Sequence, residues 1–133
     1  MVKTELLEQL PMNAETKKRR VLVVDDYPKL LRFIEIDLKV KGFDVITTTS
    51  GTEALELVKS ARPDIVLLDI IMPGMDGFEV LKKLRDFTQL PVIAFSASPG
   101  NYDEAMRLGA NDFVPKPFQP DEMARRIKAL LGD

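Results

Sequence analysis

Neither cysteine nor histidine occurs in the 133 residues, and each absence removes a class of chemistry. Without cysteine there is no disulfide frame, no thiolate nucleophile and no thiolate metal site, which agrees with a reducing compartment. Without histidine, the Ser-His-Asp and Cys-His mechanisms, imidazole zinc sites and phosphohistidine carriers fall away. Long apolar runs are missing as well. Nothing approaches the ~18 consecutive residues of a membrane span, and Leu6-Leu7 is too short for the apolar region of a signal peptide. A cytoplasmic location and no membrane contact are expected. Charge of one sign is also lacking: 19 Lys and Arg face 21 Asp and Glu, a net charge of −2. Bulk attraction to nucleic acid or anionic membrane is therefore absent, and any electrostatic function is local. No G-x-x-x-x-G-K occurs, which excludes a P-loop NTPase.

What remains for chemistry is carboxylates, Lys, Arg and hydroxyls, a set suited to hard oxygen-seeking cations and to phosphate. The length and the balance of 45% apolar to 30% charged residues predict one soluble globular domain. Residues 1–19 stand apart as an extension. Leu6, Leu7 and Leu10 can line a short helix before Pro11, and Lys17-Lys18-Arg19-Arg20 reads either as a solvated charge run or as a basic docking patch.

From Val21 a unit repeats, an apolar run rich in branched residues followed by a turn and a stretch of helical period. Val21-Leu22-Val23-Val24 ends at Asp25-Asp26, and Leu30, Leu31, Ile34 and Leu38 recur at helical spacing after Pro28. Val45-Ile46-Thr47 precedes Ser50-Gly51-Thr52-Glu53, which reads as a capping box opening a helix near Thr52. Ile65-Val66-Leu67-Leu68 ends at Asp69, Pro91 to Phe95 ends at Ser96, and Asp112-Phe113-Val114 ends at Lys116; each is followed by a helical stripe. Five strands alternating with five helices predict an α/β, doubly wound parallel sheet. In the common order 2-1-3-4-5, Asp25, Asp26, Asp69, Ser96 and Lys116 converge beyond the carboxyl ends of the strands, where such sheets bind ligands.

Three carboxylates crowded together raise at least one pKa unless a cation joins them, and Mg²⁺ suits a few carboxylates with phosphate oxygens. Alone, each Asp reads as well as a helix cap or Asx-turn as it does as a ligand, but all three at strand ends, with no other charge in those strands, point to a metal site. Lys116 can hold a phosphate oxygen as a point charge, and the Ser96 hydroxyl can donate to the same group.

At this point the sequence resembles the receiver domain of two-component response regulators, of the chemotaxis type, with its flavodoxin-like fold. The resemblance rests on Asp25-Asp26, Asp69, Met72-Pro73-Gly74-Met75-Asp76-Gly77, Ser96-Ala97 and Lys116-Pro117-Phe118, and it covers about Arg20 to Leu131. Residues 20–133 are thus expected to form the receiver. The resemblance implies that Asp69 accepts a phosphoryl group from a sensor histidine kinase, a phosphotransfer protein or a small phosphodonor. It implies that Asp25, Asp26, Asp69 and the backbone carbonyl of Ile71 ligate Mg²⁺, with Mn²⁺ as a substitute. Lys116 then binds phosphate, Lys116-Pro117 is a cis peptide, and Ser96 and Phe113 form the switch, with Phe113 turning from exposed to buried. Such a protein is a signalling switch, an enzyme only towards its own phosphorylation and dephosphorylation. It acts through a downstream partner or a further domain, as a monomer or a phosphorylation-dependent dimer, without binding nucleic acid itself. A receiver-like binding module that works without phosphate is the alternative.

Two departures matter. The run from Ser96 to Gly109 is about two residues shorter than the family's habit, which predicts a short fourth helix or a tight loop. Apolar Ile71, flanking the site with Ser98, cannot orient a hydrolytic water, which predicts slow dephosphorylation. Tyr27, Pro28, Leu30 and Phe33 are candidates for a patch that meets a kinase helix.

Overall fold

A computed structural model describes residues 17–132, so the leucines of the N-terminal extension lie outside the described residues. Five parallel strands, β1 (Arg20–Val24), β2 (Asp44–Thr48), β3 (Ile65–Asp69), β4 (Val92–Ser96) and β5 (Asp112–Pro115), lie in the order β2-β1-β3-β4-β5. Helices α1 (Pro28–Val40), α2 (Gly51–Ala61), α3 (Gly77–Arg85), α4 (Tyr102–Arg107) and α5 (Pro120–Leu131) connect and follow them.

The continuous apolar runs are explained by what lies on the two faces. Successive strand side chains point to opposite sides. Leu22, Val24, Val66, Leu68, Val92 and Ala94 join one cluster with Ala54 and Val58 of α2 and Val80, Leu81 and Leu84 of α3. Val21, Val23, Ile65, Leu67, Ile93 and Phe95 join the other with Leu31, Ile34 and Leu38 of α1 and Met123 and Ile127 of α5. A strand with a helix layer on each face has no polar side, so the alternation that marks a half-exposed strand is absent. Truncating a fully buried member such as Leu67 to Ala costs about 2–5 kcal/mol.

Helix starts are set by local chemistry. Pro28 and Pro120 occupy the first turns of α1 and α5, where a missing N–H costs nothing. Asp76 accepts the Glu79 N–H at 2.9 Å to open α3. At α2 the capping box is only half made. Ser50 Oγ accepts from the Glu53 N–H at 3.1 Å, but the Ser50 N–H donates to Thr48 Oγ1, and the Thr48 hydroxyl takes up the Glu53 carboxylate. Thr48, nearly buried at the end of β2, thus stands between the two arms.

Gly77 shows why a glycine closes the Met72 to Gly77 segment. A Cβ there would lie 2.3 Å from the Asp69 carbonyl oxygen and 2.5 Å from Ile70 Cα, so α3 could not start so close to the end of β3. The Gly77 N–H instead donates to the Ile70 carbonyl at 2.8 Å. The region before β5 is short, as its residue count predicts: a single 3₁₀ turn, Pro99–Asn101, leads directly into the six-residue α4.

Candidate phosphoryl-acceptor site

Register places the acidic residues side by side. Val24 of β1 is partnered by Leu68 of β3, so Asp25 and Asp69 emerge together past the last rungs of neighbouring strands. Asp69 is partnered by Phe95, and Ser96 by Pro115, which carries the edge on to Lys116. Strand order turns back between β1 and β3, the switch point of the sheet.

Asp25 is fully buried and Asp69 is 3% exposed, while Asp26 is the solvent-facing member of the three. Each offers a carboxylate oxygen within 4.8 Å of the other two. Burial and the neighbouring Asp25 push the Asp69 carboxyl up to about 7, against the pull of Lys116 and of the Ile71 N–H, which donates to Asp69 Oδ1 at 3.3 Å. Asp25 also serves a local turn, accepting the Tyr27 N–H at 2.8 Å. One residue thus both closes that turn and faces the other two carboxylates.

Lys116 follows β5 and reaches back over the sheet. Its Nζ lies 3.1 Å from Asp25 Oδ2, 3.4 Å from Asp69 Oδ1 and 4.9 Å from the centre of the Phe95 ring. The Lys116-Pro117 bond is cis, as expected. One ammonium beside three carboxylates leaves the cluster short of positive charge. The donor set is all oxygen, compact and partly buried, and it fits a hard divalent ion.

Ser96 ends β4 fully buried. Its Oγ accepts from the Ser98 N–H at 3.0 Å and from Asn101 Nδ2 at 2.9 Å. Asn101 is a residue the sequence pattern does not single out; its only signal is the tightness of the loop. Phe113 corrects an expectation. It is already inward, 7% exposed, in one cluster with Ala94, Ala105 and Ala110 and edge-on to Tyr102 at 5.6 Å between ring centres. An aromatic without a hydroxyl has nothing to gain from water, and the small side chains around it leave room.

Two openings adjoin the aspartates. Ile70, Ile71, Met72, Asp76, Phe78, Ser98 and Asn101 line a cavity of about 290 Å³, so Ile71 and Ser98 do share one approach. Leu30, Phe33, Ala97, Lys116, Pro117 and Phe118 line an apolar groove of about 350 Å³. Phe33 and Tyr27 are exposed, whereas Leu30 packs partly against the α1 and α5 cluster. Among the described residues no helix is long and apolar enough to cross a membrane.

Comparison with known proteins agrees with this geometry. The family model of the response regulator receiver domain matches residues 21–128. The DNA-binding response regulator MtrA of Mycolicibacterium smegmatis is 40% identical over 119 residues, covering 88% of this chain and 52% of that protein; MtrA of Mycobacterium tuberculosis matches to the same extent. The chain thus spans about half the length of the curated relatives it matches. Among solved structures, the Francisella response regulator 1452 receiver domain superposes with a TM-score of 0.80 at 36% identity, covering 85% of this chain and 96% of that one. The chemotaxis protein CheY4 of Vibrio cholerae gives 0.78 at 30% identity, covering 85% and 98%. With the sheet order, the acidic cluster and these likenesses in agreement, the chain belongs to the response regulator receiver domains of two-component signalling.

Proposed function

We propose that Asp69 is the phosphoacceptor of this receiver, and that Asp25, Asp26 and Lys116 assemble the charge around it. The observation that carries this reading is the placement of Lys116 Nζ within 3.4 Å of both Asp25 and Asp69, in a cluster of three carboxylates. Asp25, Asp26 and Asp69, with the Ile71 backbone carbonyl, would hold a Mg²⁺ ion. When bound, that ion supplies positive charge and orientation to the phosphoryl oxygens. The chain's own residues do the rest. An Asp69 carboxylate oxygen attacks phosphorus in line, the bond from phosphorus to the donor nitrogen or oxygen breaks, and the leaving group departs with its electron pair. The product is an acyl phosphate on Asp69. Charge in this transition state spreads over three equatorial oxygens, so positioning and neutralisation by Lys116 dominate. Ser96 then turns to donate its hydroxyl proton to a phosphoryl oxygen, which favours a second conformation.

The donor is a phosphohistidine on a kinase or phosphotransfer protein, since this chain has no histidine of its own, or a small acyl phosphate. The groove between Leu30, Phe33 and Phe118 includes Lys116, so a partner helix seated there lies against the acceptor site. Output passes to a protein partner or to a domain beyond this sequence, as the greater length of the relatives supports. Apolar Ile71, 56% exposed at the site's mouth, cannot orient water, so the phosphorylated form is long-lived.

The test uses intact-protein mass after incubation with Mg²⁺ and acetyl phosphate. Wild type gains one phosphoryl group and Asp69→Ala none. An equal gain in both, or none in either alongside no response to beryllofluoride, overturns the assignment and leaves a phosphate-independent binding module. The decay of the adduct is read in the same samples; a half-life of seconds would contradict the role given to Ile71.

A further inference from the structure

Asn101 and Tyr102 are neighbours in the chain; one holds Ser96, the residue proposed to move on phosphorylation, and the other packs on Phe113. Asn101 closes the 3₁₀ turn, and its amide Nδ2 donates to the buried Ser96 hydroxyl at 2.9 Å. Tyr102 opens α4, half exposed, and lies edge-on against Phe113 at 5.6 Å and 80°. We propose that Asn101 is a latch for the unphosphorylated state, a positioning residue that keeps the Ser96 hydroxyl turned into the loop after β4. This rests on the reading of Asp69 as acceptor.

Both lone pairs of Ser96 Oγ are engaged on the loop side, by the Ser98 N–H and by Asn101. The inward turn proposed for Ser96 is a rotation about χ1 that carries its oxygen away from the loop, and that rotation breaks the Asn101 bond. The energy of that bond is therefore part of the difference between the two states. Asn101 and Tyr102 share one peptide, so whatever shifts the turn also shifts the ring that covers Phe113. The shortness of the segment makes this coupling direct: Pro99–Asn101 is one turn, with no slack before α4.

Beryllofluoride with Mg²⁺, a mimic of the phosphoryl group, binds the switched state. Its apparent affinity scales with the fraction of molecules able to adopt that state. Removing a single neutral hydrogen bond found only in the unswitched state should tighten binding about three- to tenfold. Isothermal titration calorimetry is run on wild type, Asn101→Ala, Ser96→Ala and the double variant, with circular dichroism to confirm folding and Asn101→Ser as a second variant too short to reach Ser96. The expected result is tighter binding by Asn101→Ala and Asn101→Ser, with no further change when Asn101→Ala is added to Ser96→Ala. Unchanged or weaker binding by both Asn101 variants, or the same tightening in the Ser96→Ala background, overturns the latch. A wild type that does not bind, or binds equally well as Asp69→Ala, instead overturns the acceptor assignment, so the two failures are distinct.

Discussion

The two ends of the sheet both gather charged side chains and treat them in opposite ways. At the amino end, Arg20 Nε pairs with Asp44 at 2.7 Å, its Nη1 donates to the Ala61 carbonyl at 2.6 Å, and the Arg20 N–H donates to Asp64 at 2.7 Å. The cavity there, about 440 Å³, is lined by Lys17, Lys18, Arg20, Asp44, Arg62 and Asp64, with cations and anions interleaved. At the carboxyl end three carboxylates share one ammonium, and one of them is held near neutral pH in its titration. The larger cavity lies at the exposed, cation-rich end and the proposed chemistry at the buried, anion-rich one. Imbalance of buried charge, rather than cavity size, marks the site, because an unrelieved electrostatic cost has a physical reason to persist only where a ligand relieves it.

The comparison breaks most visibly at Lys116. If its ammonium neutralises the transferring group, Lys116→Ala lowers the rate of phosphorylation by acetyl phosphate about 10²- to 10³-fold, as for loss of one preorganised donor. A loss below tenfold, measured by the initial rate of adduct formation, would reduce Lys116 to a structural counter-ion.

Next in size is the cost of the imbalance itself, measured without divalent ions. The Asp69 carboxyl titrates near 7 when folded against 3.8 for the free group. The folded state therefore binds more protons between those values, and the contribution of Asp69 to stability falls as pH rises through that window. Below about pH 4 no penalty exists, and above about pH 7 it is complete, at most about 4 kcal/mol. Asp69→Asn is accordingly more stable than wild type at pH 8, by about 2–4 kcal/mol in urea unfolding, with the difference vanishing towards pH 4. Saturating Mg²⁺ should shrink the difference at pH 8. A difference constant with pH would show that packing, not charge, separates the two proteins.

Much of the fold was legible because the two helix layers bury β3 and β4 completely and β1 after its first residue. Val21 to Val24 and Ile65 to Leu68 are uninterrupted apolar runs for that reason, and the first polar residue after each is the one at the site. Asp25, Asp69, Ser96 and Lys116 could be placed from strand ends alone. What escaped depends on distances across loops. The inward Phe113 follows from its place beside Ala94 of β4, a small neighbour that strand pairing and not sequence brings to it. The replacement of one capping arm by Thr48 follows from how β2 meets α2. The bond from Asn101 to Ser96 exists because one tight turn returns the chain to the strand it has just left, and a residue count shows the shortness but not which side chain points back.

The smallest effects lie at the amino end of the sheet and on the open surface, where a close ion pair is most easily mistaken for stability. Arg20→Ala removes an ion pair whose side chains are 43% and 45% exposed, together with a hydrogen bond to a helix-terminal carbonyl. Solvent screens the pair, so the loss is about 1 kcal/mol, mostly from the carbonyl bond. Arg107 and Glu104 approach more closely still, at 2.6 Å, yet both stand out in water on α4 with 68% and 44% exposure. Each is as well solvated apart as together, and the ordering of two long side chains offsets their attraction. Glu104→Gln should leave the urea midpoint at pH 7 unchanged within error. A shift as large as that of Arg20→Ala would mean that contact distance, not burial, governs what a charge contributes in this protein, at the aspartates as well.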